Sequence, residues 1–355
     1  MTQPVDVHTR ESRDADTGLR DALEVTAWAR RHLAAAHARP APGLPLESTA
    51  SGEWVLAPDP ATVDRVESEV RRWALDLGLY DRRQAAAMAQ GPCTQLAATV
   101  APDAPEALLR AMSMYWTMII AFDDQVVEAG HPAASYRAAV GPILLDGTLP
   151  QSPDHYHRAF LDVREAVLAL PGGAAALPEF TSYVLDALDG YVHEWEWART
   201  GRRPRFPEYL ADGVASSHIL PGIVLQRLEP GRGLLPPGEP LPPALAELAQ
   251  LACLVPRLEN DLLSFAKDEK DGALNACWVL AEEYGITPYE AAPAVLATLT
   301  ALRTRHDALL TALDVDGPQG TQARVIGQWV DACYAWFLSV ARYGAEARRK
   351  AEQQK

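Results

Sequence analysis

Two clusters of oxygen-bearing side chains stand at the ends of apolar stretches in this sequence. The first, in IIAFDDQVVEAG (119–130), places Asp123, Asp124 and Glu128 behind four apolar residues. Adjacent carboxylates repel each other, and charged groups on an apolar face are costly unless a cation pairs with them. Carboxylate oxygens are also ligands that Mg²⁺ prefers, with water or phosphate completing its shell. The cluster therefore indicates either a solvated helix end or a metal site.

A stripe of large apolar side chains leads to Asp123 if this segment is helical. Each residue of a helix turns by about 100°, so the residues four, seven, eight and eleven positions earlier share the face of Asp123. These are Ile119, Trp116, Tyr115 and Met112. Such a stripe is typical of core packing, yet packing alone requires no acidic pair at its end. The stripe therefore has two interpretations. It is either a face packed in the core or the wall of a cavity with an acidic rim.

The second cluster lies in ENDLLSFAKDEKDG (259–272) and has a different composition. Asn260, Ser264 and Asp268 are spaced four residues apart, so an amide, a hydroxyl and a carboxylate lie in one row of a helix. This is an oxygen-only ligand set for a hard cation. Lys267 lies beside the row, where an ammonium group can meet an anion held by that cation. A solvated polar stripe is the alternative for this segment alone, but two such clusters predict a cavity whose rim holds metal.

The elements that must position these clusters are helices. Long segments with helical periodicity, such as EALLRAMSMYWTMIIAFDDQVVEAG (106–130), are separated by Pro- and Gly-containing turns, and no βαβ rhythm interrupts them. Asp59-Pro60 is a typical helix start. We expect one all-α domain over 53–345, preceded by an N-terminal extension (1–52) with a helix at 19–38 and a disordered start, and followed by a charged tail (346–355).

Composition excludes several classes of protein. The net charge of −15 argues against binding to nucleic acid, whose phosphates would be repelled. No stretch approaches the roughly 18 uninterrupted apolar residues of a membrane span, and the polar N-terminus is unlike a signal peptide. The four cysteines are far apart and form no CxxC pair, as in a cytoplasmic protein with reduced thiols.

The motifs resemble those of the bacterial class I terpene synthases. AFDDQVVE is similar to the aspartate-rich motif DDxxxE of that family, and NDLLSFAKD is similar to its second metal motif, NDxxSxxxE, with Asp268 in place of the final glutamate. Trp329 and Trp336, followed by Arg342-Tyr343, resemble the tryptophan-rich last helix that closes in an Arg-Tyr pair. The three motifs in this order and spacing are specific, although each alone is weak.

The resemblance covers about residues 54 to 344 and implies a helical bundle around a central hydrophobic cavity. It also implies three Mg²⁺ ions per active site and an isoprenyl diphosphate as substrate. By this resemblance Asp123 and Glu128 would bind two of the ions, with Asp124 in the same metal site but not a direct ligand. Asn260, Ser264 and Asp268 would bind the third ion. Lys267 and Arg342 would donate to the diphosphate, and Tyr343 would support Arg342. The expected substrate pocket comprises Met112, Tyr115, Trp116, Ile119, Phe122, Trp329 and Trp336. The aromatic rings among them can each stabilise a carbocation by about 0.5–2 kcal/mol. For any one aromatic residue, plain core packing is the commoner role.

One departure from the family pattern concerns the diphosphate. The family usually carries an arginine that senses this group about 46 residues before the second motif, and Gly213-Val214 stand there in this chain. The arginines considered as substitutes are Arg202, Arg203, Arg205 and Arg227, with Arg227 first.

The implied reaction is ionisation of the diphosphate ester followed by cyclisation of the carbocation. We expect geranylgeranyl diphosphate (C20) in preference to farnesyl diphosphate (C15), because the departure at Gly213 is atypical of the C15 enzymes that this sequence otherwise resembles. The released diphosphate can accept the last proton, so His193 and His218 are expected to be surface or core residues. A homodimer is compatible with the resemblance.

Two alternatives stay open on the sequence alone. A chain-elongating prenyltransferase shares the ionisation chemistry, but it is expected to carry two DDxxD motifs, and the second cluster here is NDxxSxxxD. A non-catalytic helical protein with a hydrophobic pocket is compatible with the missing arginine, although it has no need of two sets of metal ligands.

Overall fold

The computed structural model of the protein describes residues 19, 21–37, 59–81, 93–127 and 129–339. Within these ranges the chain forms helices joined by turns and irregular segments, without a strand, so the predicted all-α class is confirmed. None of the helices in these ranges has the length and apolarity needed to cross a membrane. In chain order the elements are α1 (Ala22–His37), α2 (Pro60–Leu77), α3 (Cys93–Val100), α4 (Glu106–Phe122), a π-helical segment (Asp123–Val127), α5 (Ala134–Asp146), α6 (His155–Leu168), α7 (Gly173–Thr200), α8 (Phe206–Ser216), α9 (Ile219–Gln226), α10 (Pro243–Asp271), α11 (Ala276–Tyr284), α12 (Pro288–Ala312) and α13 (Pro318–Ser339).

Local sequence signals begin and end several of these helices. Asp59 caps α2 by accepting a hydrogen bond from a first-turn amide, and Pro60 takes the first helical position, as the Asp-Pro pair predicts. The same helix ends at Gly78, whose φ of 77° lies in the left-handed region that favours glycine. Thr287 and Glu290 form a reciprocal capping box at the start of α12.

Helix α10 is the element around which the others pack. Its 29 residues span about 43 Å at 1.5 Å per residue. It contacts α1, α8, α12 and α13, and most of its apolar side chains are buried. Pro256 lies inside α10, one turn before Asn260, and has no amide hydrogen for the helical ladder. The second predicted cluster is therefore carried by a helix that packs against four others.

Helix α4 changes geometry where its acidic residues begin. The sequence pattern predicts one helix through 106–130, but the α-helix ends at Phe122 and residues 123–127 form the π-helical segment. The hydroxyl of Tyr156 donates to the carbonyl of Ala121 over 2.8 Å, next to this transition. Such a side-chain donor can satisfy a carbonyl that an irregular ladder leaves exposed. Short π-helical segments are frequent at functional sites.

The N-terminal helix is joined to the centre of the bundle by a buried charged network. The predicted helix at 19–38 is present as α1, and its last residue, His37, lies 2.7 Å from Glu259 and 2.8 Å from Asp331. Arg303 of α12 lies 3.0 Å from the same carboxylate of Asp331. The His37 ring stacks on Tyr334 of α13 with 3.7 Å between the centroids. One histidine thus connects α1 to α10 and α13, the two helices that carry the second motif and the tryptophans.

Electrostatics make this connection dependent on pH. Burial lowers the pKa of His37, but the carboxylates of Glu259 and Asp331 outweigh burial, and the net effect is a raised pKa. A raised folded-state pKa contributes stability that is fully present below the unfolded pKa, about 6.5, and is lost as the pH rises through the folded value. The pKa of Asp331 is lowered despite its burial, because His37 and Arg303 favour its charged form. Its contribution is lost as the pH falls.

We expect His37→Ala to lower the free energy of unfolding by about 3 kcal/mol at pH 6, because it leaves buried carboxylates without a partner. The difference from the wild type should narrow toward pH 9, as the imidazole of the wild type loses its proton. Urea unfolding at both pH values measures this. His32→Ala, on an exposed position of the same helix, is the control. An equal loss at both pH values would show that the charge of His37 plays no part.

Candidate active site

A cavity of about 320 Å³ lies between α4, α7, α10 and α13, with the α8–α9 corner in its wall. This volume is within the range of roughly 300–1,000 Å³ that small-molecule sites occupy. Part of the wall is apolar, and the remainder carries oxygen-bearing side chains from the C-terminal ends of α4 and α10. The apolar part includes Leu96, Trp116, Ile119, Ile219, Leu274, Trp336 and Phe337.

The cavity brings the two predicted clusters together. One space is lined by Asp123, from the π-helical segment, and by the row Asn260, Ser264 and Asp268, from α10. Asp123 and Asn260 are 137 residues apart in the sequence (260 minus 123). Three further carboxylates that the sequence analysis did not single out also line it, namely Glu194, Asp261 and Asp271. The site therefore has a stronger negative charge than the two motifs alone predict.

A buried asparagine fixes the α10 row. Asp268 accepts hydrogen bonds from the hydroxyl of Ser264 and from the side-chain amide of Asn275, the latter over 2.8 Å. The same amide donates to the backbone carbonyl of Asp261 over 2.8 Å, while its oxygen caps α11 by accepting from the amide of Cys277. Asn275 thus orients a predicted metal ligand and starts a helix. In the sequence only the second role is visible, as an asparagine directly before a helical segment.

A chain of hydrogen bonds runs behind the row. Arg257 donates through two of its nitrogens to the hydroxyl of Tyr209, at 3.1 and 2.8 Å, and that hydroxyl donates to the carboxylate of Asp261 over 2.8 Å. The pKa of Asp261 is raised to about 7, by burial first and also by the charge of Asp268, although Arg257 and Tyr209 oppose the shift. Like charges are therefore crowded at the C-terminal half of α10, and Arg257 offsets part of that repulsion.

The first cluster lies across the cavity from α10. Asp123 is half-buried at the junction of α4 with the π-helical segment. Burial first, and then the charge of Asp123, raises the pKa of the neighbouring Tyr191 well above its usual value. Asp124 is also half-buried, and its charge contributes, after burial, to the raised pKa of Tyr156. Glu128 lies outside the described residues.

The donor set fits a hard divalent cation that keeps part of its shell for water or phosphate. The carboxylate of Asp123 lines the same cavity as an amide, a hydroxyl and a carboxylate of α10, and all four groups carry oxygen ligands. Within the described ranges, no three His, Cys, Asp or Glu side chains are grouped closely enough to hold a metal by themselves. Mg²⁺ is usually bound by one or two carboxylates together with substrate phosphates. The residues present fit that kind of site better than a closed protein cage.

The predicted basic residues lie at the edge of this site or outside the described ranges. The ammonium of Lys267 lies 3.5 Å from a carboxylate oxygen of Asp271 and 4.0 Å from one of Asp268. Its side chain is 24% exposed, so it can reach an anion without first leaving a buried position. Arg342 and Tyr343 lie outside the described residues.

The predicted pocket residues divide into two layers. Trp116, Ile119 and Trp336 line the cavity. The other four, Met112, Tyr115, Phe122 and Trp329, are buried behind that surface. Trp329 lies 5.9 Å from Trp116 between ring centroids and donates its indole N–H to Gln226 over 2.8 Å. A helix that is buried on nearly all sides has apolar residues on faces other than the one that meets the cavity, so periodicity alone does not separate the layers.

His218 is a wall residue with an unusual backbone. His218 lies between α8 and α9 with a φ of 56°. Among the described residues it is the one non-glycine residue with a positive φ. Its Nδ1 lies 2.7 Å from the hydroxyl of Tyr115, and burial lowers its pKa to about 3, so the imidazole is uncharged near neutral pH. His218 was expected to be a surface or core residue. It is buried, and it also lines the cavity. His193 is half-exposed beside Asp212.

The arginines proposed as substitutes at 213–214 lie elsewhere. Arg227, the first choice, is buried, and its Nη1 donates to both carboxylate oxygens of Glu179, at 2.8 and 2.9 Å. Arg202, Arg203 and Arg205 are exposed, and none of these four arginines is part of the cavity wall. An arginine that the sequence analysis did not consider, Arg257, is part of it.

Two solved structures illustrate the fold that this chain shares. 2-Methylisoborneol synthase from Streptomyces coelicolor A3(2), in complex with Mg²⁺ and 2-fluoroneryl diphosphate, is 21% identical with a TM-score of 0.67, over 79% of this chain and 92% of that one. The SVS_A2 protein from ancestral sequence reconstruction is 20% identical with a TM-score of 0.68, over 78% of this chain and 85% of that one. At these identities the likeness establishes the fold.

Sequence comparison adds a family and a partial relative. (-)-Beta-pinene synthase 1, chloroplastic, from Pinus banksiana is 34% identical over 97 residues, which is 25% of this chain and 14% of that protein. The chain therefore matches only a small part of that plant enzyme. The family model for terpene synthase family 2, C-terminal metal binding, matches residues 114–305, more than half of the chain and both predicted metal clusters. The chain belongs to this terpene synthase family and has the helical fold of the class I terpene synthases.

Proposed function

We propose that this protein is a class I terpene cyclase, which ionises an isoprenyl diphosphate with Mg²⁺ and cyclises the resulting carbocation to a terpene. The observation that carries the proposal is the convergence of two oxygen-donor clusters on one apolar cavity. An isoprenyl diphosphate has the matching composition, an apolar chain and an anionic head that binds divalent cations. Family membership supports the same reaction class.

The acidic wall would hold the metal ions. Asp123, with Glu128, would bind from the side of α4, and Asn260, Ser264 and Asp268 would bind from α10, for three ions in all. Mg²⁺ in this position supplies positive charge that stabilises the departing diphosphate. The protein contributes orientation, since Asn275 and Ser264 hold the Asp268 carboxylate in place before any ligand arrives.

The apolar wall would receive the carbocation. Trp116 and Trp336 present aromatic rings to the cavity, and such faces stabilise cations by about 0.5–2 kcal/mol each. Trp329 and Tyr115 support Trp116 from behind through ring contacts at 5.9 Å. Excluding water from this space protects the cation until it cyclises.

Basic residues would bind the diphosphate. Lys267 is already beside Asp268 and Asp271, where it can donate to an anion held by the metal ions. Arg342, supported by Tyr343, would also donate to the anion. The diphosphate can accept the final proton, so the reaction requires no separate base.

Substrate length is the finer part of the proposal. We expect the C20 diphosphate before the C15 diphosphate, on the evidence of the departure at Gly213. Similarity to plant proteins such as monoterpene synthase like 1 from Pinus contorta makes the C10 diphosphate a necessary member of the test panel. A cytoplasmic location and a homodimer also remain predictions.

The deciding assay is incubation with Mg²⁺ and the C10, C15 and C20 diphosphates, followed by gas chromatography of the organic extract. Cyclic products that require Mg²⁺, and disappear when a chelator is added, are the expected result. The helical circular dichroism should persist with chelator, because the ligands lie on helices that other contacts hold. Longer linear diphosphates would indicate a chain-elongating prenyltransferase. The absence of any turnover would indicate a non-catalytic binding protein.

We expect Asp123→Ala and Asn260→Ala to reduce product formation to the detection limit while the thermal unfolding midpoint changes little. Both side chains are half-buried in a cavity wall, so few packing contacts are lost. Asp146→Ala, an exposed carboxylate at the end of α5, is the matched control and should retain activity. Near-normal production by either cavity variant would refute the metal assignment.

We expect Lys267→Ala and Arg342→Ala each to lower turnover at saturating substrate at least ~30-fold, equivalent to ~2 kcal/mol. Each removes a charge-assisted hydrogen bond to the leaving group. Lys270→Ala controls for the loss of a lysine from the exposed side of the same helix. A loss of less than threefold in both variants would mean that other cations carry the charge of the diphosphate.

A further inference from the structure

A glycine of α9 lies directly against a fully buried tryptophan of α13. A Cβ atom added at Gly222 would lie 2.5 Å from Cη2 and 2.9 Å from Cζ2 of Trp329. Both separations are well below van der Waals contact, so even the methyl group of an alanine at position 222 would displace the indole. The observed position of Trp329 therefore depends on a residue without a side chain at this point of α9.

The same helix also holds the indole through a hydrogen bond. Gln226 follows Gly222 by four residues, so both lie on one face of α9. The side-chain oxygen of Gln226 accepts from Nε1 of Trp329 over 2.8 Å, and its side-chain amide donates to the backbone carbonyl of Val100. We call Gly222 and Gln226 together the indole seat, because one receives the edge of the ring and the other binds its N–H group.

Trp116 connects the indole seat to the cavity. Its ring centroid lies 5.9 Å from that of Trp329, and Trp116 lines the cavity while Trp329 lies behind it. Nε1 of Trp116 is buried and has no hydrogen-bond partner among the described residues. Packing against its neighbours, and not a polar contact, therefore holds this indole in place. A displacement of Trp329 is expected to move the part of the wall that Trp116 forms.

That part of the wall lies deep in the cavity. Trp116 precedes Asp123 by seven residues (123 minus 116), which corresponds to about 10 Å along α4 at 1.5 Å per residue. In the proposed function the diphosphate binds beside Asp123, so the hydrocarbon chain of the substrate extends from there towards Trp116. The position of the Trp116 ring then limits the length of the chain that fits.

We propose that the indole seat on α9 determines which isoprenoid chain length the cavity accepts, by fixing Trp329 and through it the wall at Trp116. The proposal rests on the proposed function and names positioning residues for its substrate specificity. Gly222 and Gln226 are not among the residues that line the cavity, so they act through the two tryptophans.

The competing explanation is that the indole seat only stabilises the packing of α9 against α13. A purely structural role predicts that substitutions lower the thermal unfolding midpoint and weaken the binding of long and short substrates by a similar factor. The proposed role predicts a change in the ratio of the two affinities, because the added volume affects only chains that reach the deep part of the cavity.

The experiment measures the Kd of the C10, C15 and C20 isoprenyl S-thiolodiphosphates by calorimetry in excess Mg²⁺, together with a thermal melt of each protein. These analogues ionise slowly, so binding is measured without turnover. We expect Gly222→Ala to raise the ratio of the C20 Kd to the C10 Kd at least ~10-fold, or ~1.4 kcal/mol.

The matched control is Gly141→Ala, which also adds a methyl group to a buried helical glycine. Gly141 lies on α5 outside the cavity wall, and an added Cβ would lie 3.5 Å from the side chain of Leu185, an ordinary contact distance. We expect this variant to show the same ratio as the wild type.

A second variant enlarges the deep part of the cavity and covers the case in which Gly222→Ala fails to fold. Trp329→Phe removes part of the ring behind Trp116 and should lower the same ratio about threefold or more. The double variant, Gly222→Ala with Trp329→Phe, should return the ratio to near the wild-type value, because the smaller ring leaves room for the methyl group.

An unchanged ratio in Trp329→Phe, or in folded Gly222→Ala, would overturn the assignment while leaving the cyclase proposal intact. A wild-type protein that binds the analogues but forms no cyclic product would overturn the cyclase proposal alone. A wild-type protein that binds none of the three analogues would overturn both.

Discussion

The concentration of carboxylates beside an apolar cavity is the constraint on which the rest of the structure depends. Glu194, Asp261, Asp268 and Asp271 line one cavity together with Asp123, although like charges repel. The raised pKa of Asp261 reflects that conflict. Such an arrangement persists only where other contacts hold the helices rigidly and where cations complete it. Arg257 supplies one cation in the described cavity wall, and in the proposed function Mg²⁺ would supply the others.

Rigidity comes from contacts behind the site. Asn275 holds Asp268 and the carbonyl of Asp261 at once, so the start of α11 and the end of α10 are fixed together. On the opposite side of α10, His37 joins the residue before Asn260 to Asp331 of α13. The N-terminal helix is therefore joined to the two helices that form much of the cavity, although the sequence marks it only as an extension.

Sequence pattern was informative where regular geometry applies and less so where it does not. The row on α10 could be predicted because residues four positions apart lie on the same face of an unbroken helix, as Asn260, Ser264 and Asp268 do. The helical period also identified Trp116 and Ile119 beside Asp123. It did not separate them from Met112 and Tyr115, because α4 is buried on nearly every side. The change to π geometry at Asp123 has no periodic signature and was missed. Arg257, Asn275 and His218 act through contacts between helices that are distant in sequence, which single-sequence spacing does not reveal.

The close contact between position 213 and Arg257 also restricts how such a site can change during evolution. With 3.2 Å between an added Cβ at position 213 and the stem of Arg257, side chains at both positions crowd each other. An arginine on α8 and an arginine on α10 would then compete for the same space. A lineage that passes from one to the other has to cross either a form with no arginine or a form with two in conflict. The order of the two substitutions therefore matters, and related sequences should contain one arginine or the other, with a small residue at 213 accompanying the arginine at 257.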